Sequence, residues 1–324
     1  MPEVASPATR VAGVAVATLA VAGLGALAWG TLVERSRFTL RRETVPALAP
    51  GARPLTVLHL SDLHMAPWQR DKQEWVRGLA VYEPDLIVDT GDNLGHEDGL
   101  RGVEYALEPF RGTPGVFVHG SNDYHAPVAK NPFTYFTGPS KVRHATPRLD
   151  TARLNAFFDG LGWLDLTNTA RAMSIRGSRL EFMGVGDAHI GWDHLERIPG
   201  AMADMRENVG WADDPSGPDP VTIGLSHAPY RRVLDNFVTQ GADLIFSGHT
   251  HGGQVCVPGY GALVTNCDIP REQVRGLSTW KHARRSAFLE VSAGLGTSIY
   301  APVRFASPPE AVLLTLVARD ISYS

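Results

Sequence analysis

Seven side chains of metal-ligating type stand out by their spacing. They are Asp62 and His64 in Ser61-Asp62-Leu63-His64, Asp92 after Gly91, Asn122 in Gly120-Ser121-Asn122-Asp123, His227, and His249 and His251 in Gly248-His249-Thr250-His251-Gly252-Gly253-Gln254. Neutral imidazole is a common metal ligand, and oxygen and nitrogen donors without thiolate suit Mn, Fe or Zn. Seven ligands are too many for one ion that keeps an open position. Two ions sharing a carboxylate is the natural solution, and Asp92, central in the set, is the expected bridge. Two metals about 3.5–4 Å apart clamp the attacking and leaving oxygens of an in-line displacement at phosphorus. A water between them becomes acidic, and the resulting bridging hydroxide is the nucleophile. No protein nucleophile is then required, and the chain has no Gly-x-Ser-x-Gly element.

The elements that must position these groups are apolar runs that read as strands. A strand at 55–60 leads to Asp62, one at 84–89 to Asp92, one at 115–119 to Asn122, one at 221–225 to His227 and one at 242–247 to His249. Apolar residues at helical spacing predict helices at 70–82, 99–110, 152–161 and 230–240. Strand and helix alternate, as in a parallel sheet, where ligands gather beyond the carboxyl ends of the strands. A hairpin at 172–175 and 180–185 and strands at 287–291 and 311–317 complete the expected set. The chain divides into an apolar segment at 1–33, a connector at 34–53 with several arginines, Pro46 and Pro50, and one catalytic domain at 54–320. Residues 124–150 break the rhythm with four prolines and a basic set, Lys130, Lys141, Arg143, His144 and Arg148. They read as a surface loop or as a cap that attracts an anionic substrate.

Taken in order, Asp62-x-His64, Gly91-Asp92, the Gly120 segment, His227 and Gly248-His249-x-His251 resemble the calcineurin-like metallophosphoesterases. The run from Gly248 to Gln254 and the stretch from Val291 to Phe305 are similar to the membrane-associated YkuE/YaeI-like branch. The resemblance covers about residues 54–317. It implies an α/β fold of two mixed β-sheets in a sandwich flanked by helices, here with an N-terminal apolar helix, and a dinuclear centre of two divalent ions. By that resemblance Asp62, His64, Asp92 and His251 hold one ion, and Asp92, an Asn, His227 and His249 the other. The family usually reads Gly-Asn-His-Asp where this chain reads Gly120-Ser121-Asn122-Asp123. Without gaps Ser121 takes the ligand slot. With a slip of one residue Asn122 is the ligand and Asp123 replaces the histidine that assists the leaving group. An amide oxygen is the better neutral ligand, which favours Asn122. Arg304 is a further candidate, for phosphate.

Net charge is only −4, so no global basic field calls for nucleic acid. Cys256 and Cys267 are the only cysteines. They make no disulfide framework, although one bridge between them is possible. From Val11 to Val33 there is no charged residue, long enough to span a bilayer once. Three readings compete: a membrane anchor, a cleaved signal with Ala26-Leu27-Ala28 as its site, and a buried helix. Arg10 precedes the run and Arg35, Arg37, Arg41 and Arg42 follow it, which by the positive-inside bias places the domain on the cytoplasmic face unless the segment is cleaved. The expected activity is hydrolysis of a phosphodiester or pyrophosphate bond in a phosphorylated small molecule or a lipid-linked substrate. The alternatives are a nucleotide phosphodiesterase and a metal-binding regulatory protein with little turnover.

Overall fold

The computed structural model describes residues 7–127, 147–214 and 216–320. Period-two burial runs through the strand that precedes the first ligands. In β2 (Leu55–Leu60), Leu55 and Val57 enter one core and Leu58 and Leu60 another, as alternation across a strand requires. Both faces of the strand are covered, so nearly every position is apolar.

The first sheet has the order β1 (Thr39–Leu48), β14 (Glu310–Ala318), β2, β3 (Leu86–Asp89), β4 (Gly115–Phe117) and β5 (Trp163–Asp165). Strands β2 to β5 are parallel, and β14 and β1 run against them. The second sheet has the order β12 (Gly276–His282), β13 (Arg285–Val291), β9 (Leu244–Ser247), β8 (Val221–Ser226), β7 (Ser178–Gly184) and β6 (Thr169–Ile175). Its four central strands are parallel and its two edge strands antiparallel. Val57, Val88 and Val116 meet Phe182, Ile223 and Phe246 between the sheets. Val76 of α2 (Arg70–Gly78), Val103 of α3 (Leu100–Leu107) and Phe158 of α4 (Thr151–Leu161) cover the first sheet's outer face. Met202 of α5 (Ile198–Val209) and Phe237 of α6 (Arg231–Thr239) cover the second. The architecture is two mixed sheets in a sandwich flanked by helices, as expected.

The expected connector at 34–53 is instead structural. Residues Thr39–Leu48 pair with β14 along the whole edge of the first sheet. Its arginines and glutamates disguise it in the sequence, because Arg41 lies between two fully buried carboxylates, Glu290 and Glu310. Burial pushes the Glu290 carboxyl up to about 7 even with Arg41 beside it. Strands β5 and β12 were also not anticipated: the first is only three residues long and the second is a half-exposed polar edge. The helix expected at 70–82 gives way to a tighter turn at Leu79–Tyr82. Cys256 and Cys267 are both free thiols.

The apolar N-terminal run forms α1 (Pro7–Leu32). It is long and apolar enough to cross a membrane. Val16, Val21, Leu24, Leu27 and Leu32 are all more than half exposed, so α1 is not the buried core helix of the third reading. Arg41 sits in a strand and Arg42 stacks on Tyr82. Of the four arginines that follow the run, Arg35 and Arg37 are then left beside the end of the helix.

Removing one partner from a buried ion pair leaves an uncompensated charge and costs about 3–5 kcal/mol. Arg41→Met should therefore lower the unfolding free energy by about that amount in urea titration. A loss below about 1 kcal/mol, the worth of an exposed ion pair, would show that β1 is a loosely attached connector after all.

Candidate metal centre

The seven candidate ligands reach one edge of the sandwich because the parallel strands of both sheets end there. Asp62 and His64 follow β2, Asp92 follows β3, Asn122 follows β4, His227 follows β8 and His249 and His251 follow β9. The chain must turn sharply at each exit. Asp62, His64, Asp92, His249 and His251 all adopt positive φ, between 39° and 66°. Left-handed backbone costs a residue with a Cβ on the order of 1–3 kcal/mol, and such strain concentrates at functional sites. Close approach also demands small residues. A Cβ on Gly120 would run into Asp92 Oδ1 and His227 Cε1, and one on Gly248 into Ser61 Oγ and Asp62 Oδ2.

Two groups emerge within the pocket. Asp62, His64 and His251 form one, and Asp62, Asp92 and His227 the other. Asp92 Oδ2 lies 3.6 Å from His64 Nε2 and 3.5 Å from His227 Nε2, so a single oxygen faces a histidine of each group. Asp62 Oδ1 lies 3.9 Å from His64 Nε2 and 3.6 Å from His251 Nε2. The Asn122 side-chain N–H donates to Asp92 Oδ2 at 2.6 Å and its backbone N–H donates to Asp92 Oδ1. Ser121, its rival for the ligand slot, donates its backbone N–H to Asp187.

The imidazoles are aimed by their outward nitrogens. His227 Nδ1 donates to the Thr90 carbonyl at 2.8 Å, which leaves Nε2 for the pocket. His249 Nε2 is held by Asn266, while Nδ1 faces His227 Nε2 at 3.2 Å. Partners of this kind fix tautomer and ring orientation in metal sites. Behind Asp62 runs a buried chain in which Thr90 Oγ1 donates to Ser61 Oγ and Ser61 Oγ to Asp62 Oδ2, with His59 Nε2 3.0 Å from Thr90 Oγ1. His189 lies beside His249, with ring centres 4.5 Å apart, and bonds Tyr230. Asn266, Ser61 and Thr90 carried no signal in the sequence beyond their residue types. Only the left-handed backbone of Asn266, a conformation that Asn tolerates well, could have marked it.

Burial lowers His64, His249 and His251 below the usual imidazole range, so these rings stand neutral and their lone pairs are available. Burial would raise Asp92, but the imidazoles of His227 and His64 outweigh it and hold the carboxyl well below its usual value. The carboxylates of Asp92 and Asp187 likewise outweigh burial at His227 and hold its imidazole well above the usual range.

The residues fit metal ions. Asp62 Oδ1 and His64 Nε2 are buried without a hydrogen-bond partner, a costly state that a cation between them would relieve. Two expectations are corrected. Asp123 does not act as an acid at the pocket: it is fully buried, and its carboxylate accepts the backbone N–H groups of Asp92, Asn93, Leu94 and Gly120. Arg304 does not reach out to phosphate. Its guanidinium is buried and donates to the carbonyls of Ala293, Gly294, Gly296 and Ser307, against His251. His119 is packed against Phe117 and Phe158 and bonds Asn155. Of the basic segment at 124–150, Lys130, Lys141, Arg143 and His144 lie outside the described residues. Its described ends pair with each other through Ala126 and Pro147 and through Tyr124 and Leu149.

A model of the calcineurin-like phosphoesterase family matches residues 55–253, more than half of the chain. The chain belongs to this family. It is thereby a metallophosphoesterase, a phosphoric ester hydrolase of a fold that generally binds two divalent metals. Its sequence is 27% identical over 284 residues to the Bacillus subtilis (strain 168) protein YpbG, covering 86% of this chain and 87% of that one. It is 28% identical over 287 residues to a metallophosphoesterase of Aquifex aeolicus (strain VF5), covering 86% and 90%. A Bos taurus protein named as a transmembrane protein with metallophosphoesterase domain is 26% identical over 215 residues, covering 65% of this chain and 43% of that one.

Losing a group that orients a metal ligand typically weakens metal affinity about 10- to 100-fold. Ser61→Ala should show that loss in calorimetric titration with Mn while keeping its unfolding transition. Unchanged affinity would remove the hydroxyl chain behind Asp62 from the account.

Proposed function

We propose that the protein hydrolyses phosphodiester or pyrophosphate bonds in a lipid-linked or envelope substrate, with two divalent ions of Mn, Fe or Zn type. The observation that carries this reading is the position of Asp92 Oδ2 between His64 and His227, because one carboxylate oxygen facing both groups suits a shared ligand. Asp62, His64 and His251 would hold one ion, Asn122, His227 and His249 the other, and Asp92 both. When bound, the ions supply an acidified water as nucleophile and polarise the phosphoryl oxygen.

The chain's own residues do the rest. Ser61 and Thr90 orient Asp62, the Thr90 carbonyl orients His227 and Asn266 orients His249. The buried pocket edge limits water and strengthens each interaction with a charged phosphoryl group. The histidine that the family places after Asn is replaced, and Asp123 is engaged by backbone amides. That favours a substrate whose leaving oxygen needs no proton, such as a phosphate, over one that departs as an alkoxide. The same observation favours the second reading, a metal-binding protein with little turnover. The apolar helix α1 and the name of the bovine relative support association with a membrane.

Purified protein supplied with Mn should hydrolyse bis-p-nitrophenyl phosphate, and Asp92→Asn should lower the rate about a thousandfold or more, several kcal/mol of transition-state stabilisation. Equal activity in that variant would sink the shared-ligand mechanism, and full metal loading without turnover of any phosphoester would favour the second reading. In a series of aryl phosphodiesters, the rate should fall steeply as the pKa of the leaving phenol rises. A flat series would show that an acid protonates the leaving group.

A further inference from the structure

Two loops beside the metal pocket carry no charged residue: Gln254 to Cys267 and Val291 to Val303. The first contains a hairpin of β10 (Cys256–Val257) and β11 (Gly261–Ala262). Such loops face solvent at their tips, where Val257, Tyr260, Leu263 and Tyr300 are between 40% and 59% exposed. Charge-free surface loops with exposed aromatic tips are costly in water and suit the interface of a bilayer, where Tyr and Trp are enriched.

The end of α1 is sewn to the same loops. The Arg304 backbone N–H donates to the Gly30 carbonyl at 3.1 Å, and the next residue, Phe305, bonds Gln254 and Cys256. Glu34, buried just beyond the helix, accepts the Ser307 backbone N–H at 2.8 Å and the Trp29 indole N–H at 2.9 Å. Arg304 in turn lies 3.3 Å from His251 Nδ1. Helix, loops and a pocket ligand therefore form one continuous layer rather than a tether and a separate domain. A cavity of about 360 Å³ opens in this layer, lined by Gly252, Val257, Ala262 and Val274 and by Arg271 and Arg275. Arg271, in the cavity lining beside the exposed Glu272, is exposed and stacks on Tyr260, and Arg35 and Arg37 are exposed just beyond α1, charges that suit anionic headgroups.

We propose that this layer is a bilayer-docking face, which inserts the tips at Tyr260, Leu263 and Tyr300 and sets the metal pocket at headgroup depth, where it takes a phosphoester carried on a lipid. The proposal rests on the reading of α1 as a membrane anchor. It is tested on the full chain reconstituted in vesicles of phosphatidylcholine with a minority of phosphatidylglycerol. A nitroxide is attached at Tyr260→Cys in a Cys256→Ser background. A control label is attached at Val81→Cys, an exposed site ahead of β3 at the opposite edge. Hydrolysis of bis-p-nitrophenyl phosphate in detergent checks that both labelled chains are folded.

The expected result is a several-fold higher ratio of oxygen to aqueous-nickel accessibility at residue 260 than at residue 81. A chain that floats with the vesicles while both labels stay equally aqueous would overturn the docking face and leave the anchor standing. A chain that does not float would refute the anchor itself, and the docking face with it.

Discussion

The structure depends on one buried carboxylate. Asp92 Oδ2 faces His64 from the first sheet and His227 from the second, so one oxygen meets a histidine of each. Two six-stranded sheets with parallel centres are a scaffold for this arrangement, because each delivers its strand ends to the same edge. The local conformations are unfavourable by themselves. Five of the candidate ligands take left-handed backbone, and two positions require glycine because a Cβ there would press against Asp92 and Asp62. The packed sheets hold that strain in place.

Electrostatics follow from the same crowding. Buried carboxylates and imidazoles compete for charge, so three histidines remain neutral while His227 and Asp92 stabilise each other's ionised form. This is a pocket prepared for cations: its lone pairs are exposed to one another and several have no hydrogen-bond partner. A protein that needed only stability would fill such a space with apolar side chains.

Much of this was legible in the sequence, for a physical reason. Strands covered on both faces are nearly all apolar, so 55–60, 221–225 and 242–247 announced themselves, and ligand residues directly after them pointed to a common edge. What misled was polarity with a hidden partner. Arg41 made β1 look like a linker because its glutamates lie about 250 residues or more along the chain, a separation that no local pattern encodes. Arg304 looked like a phosphate ligand because its carbonyl partners are backbone groups of neighbouring loops. Asp123 looked like an acid because nothing in Ser121-Asn122-Asp123 tells a side chain that faces substrate from one that caps amides.

Two ions sharing Asp92 is the arrangement on which the proposed chemistry turns. Electron paramagnetic resonance of the protein loaded with Mn tests it most directly. The expected result is the multiline spectrum of an exchange-coupled manganese pair, lost in Asp92→Asn. The spectrum of isolated Mn at saturating metal, with one ion per chain, would contradict it.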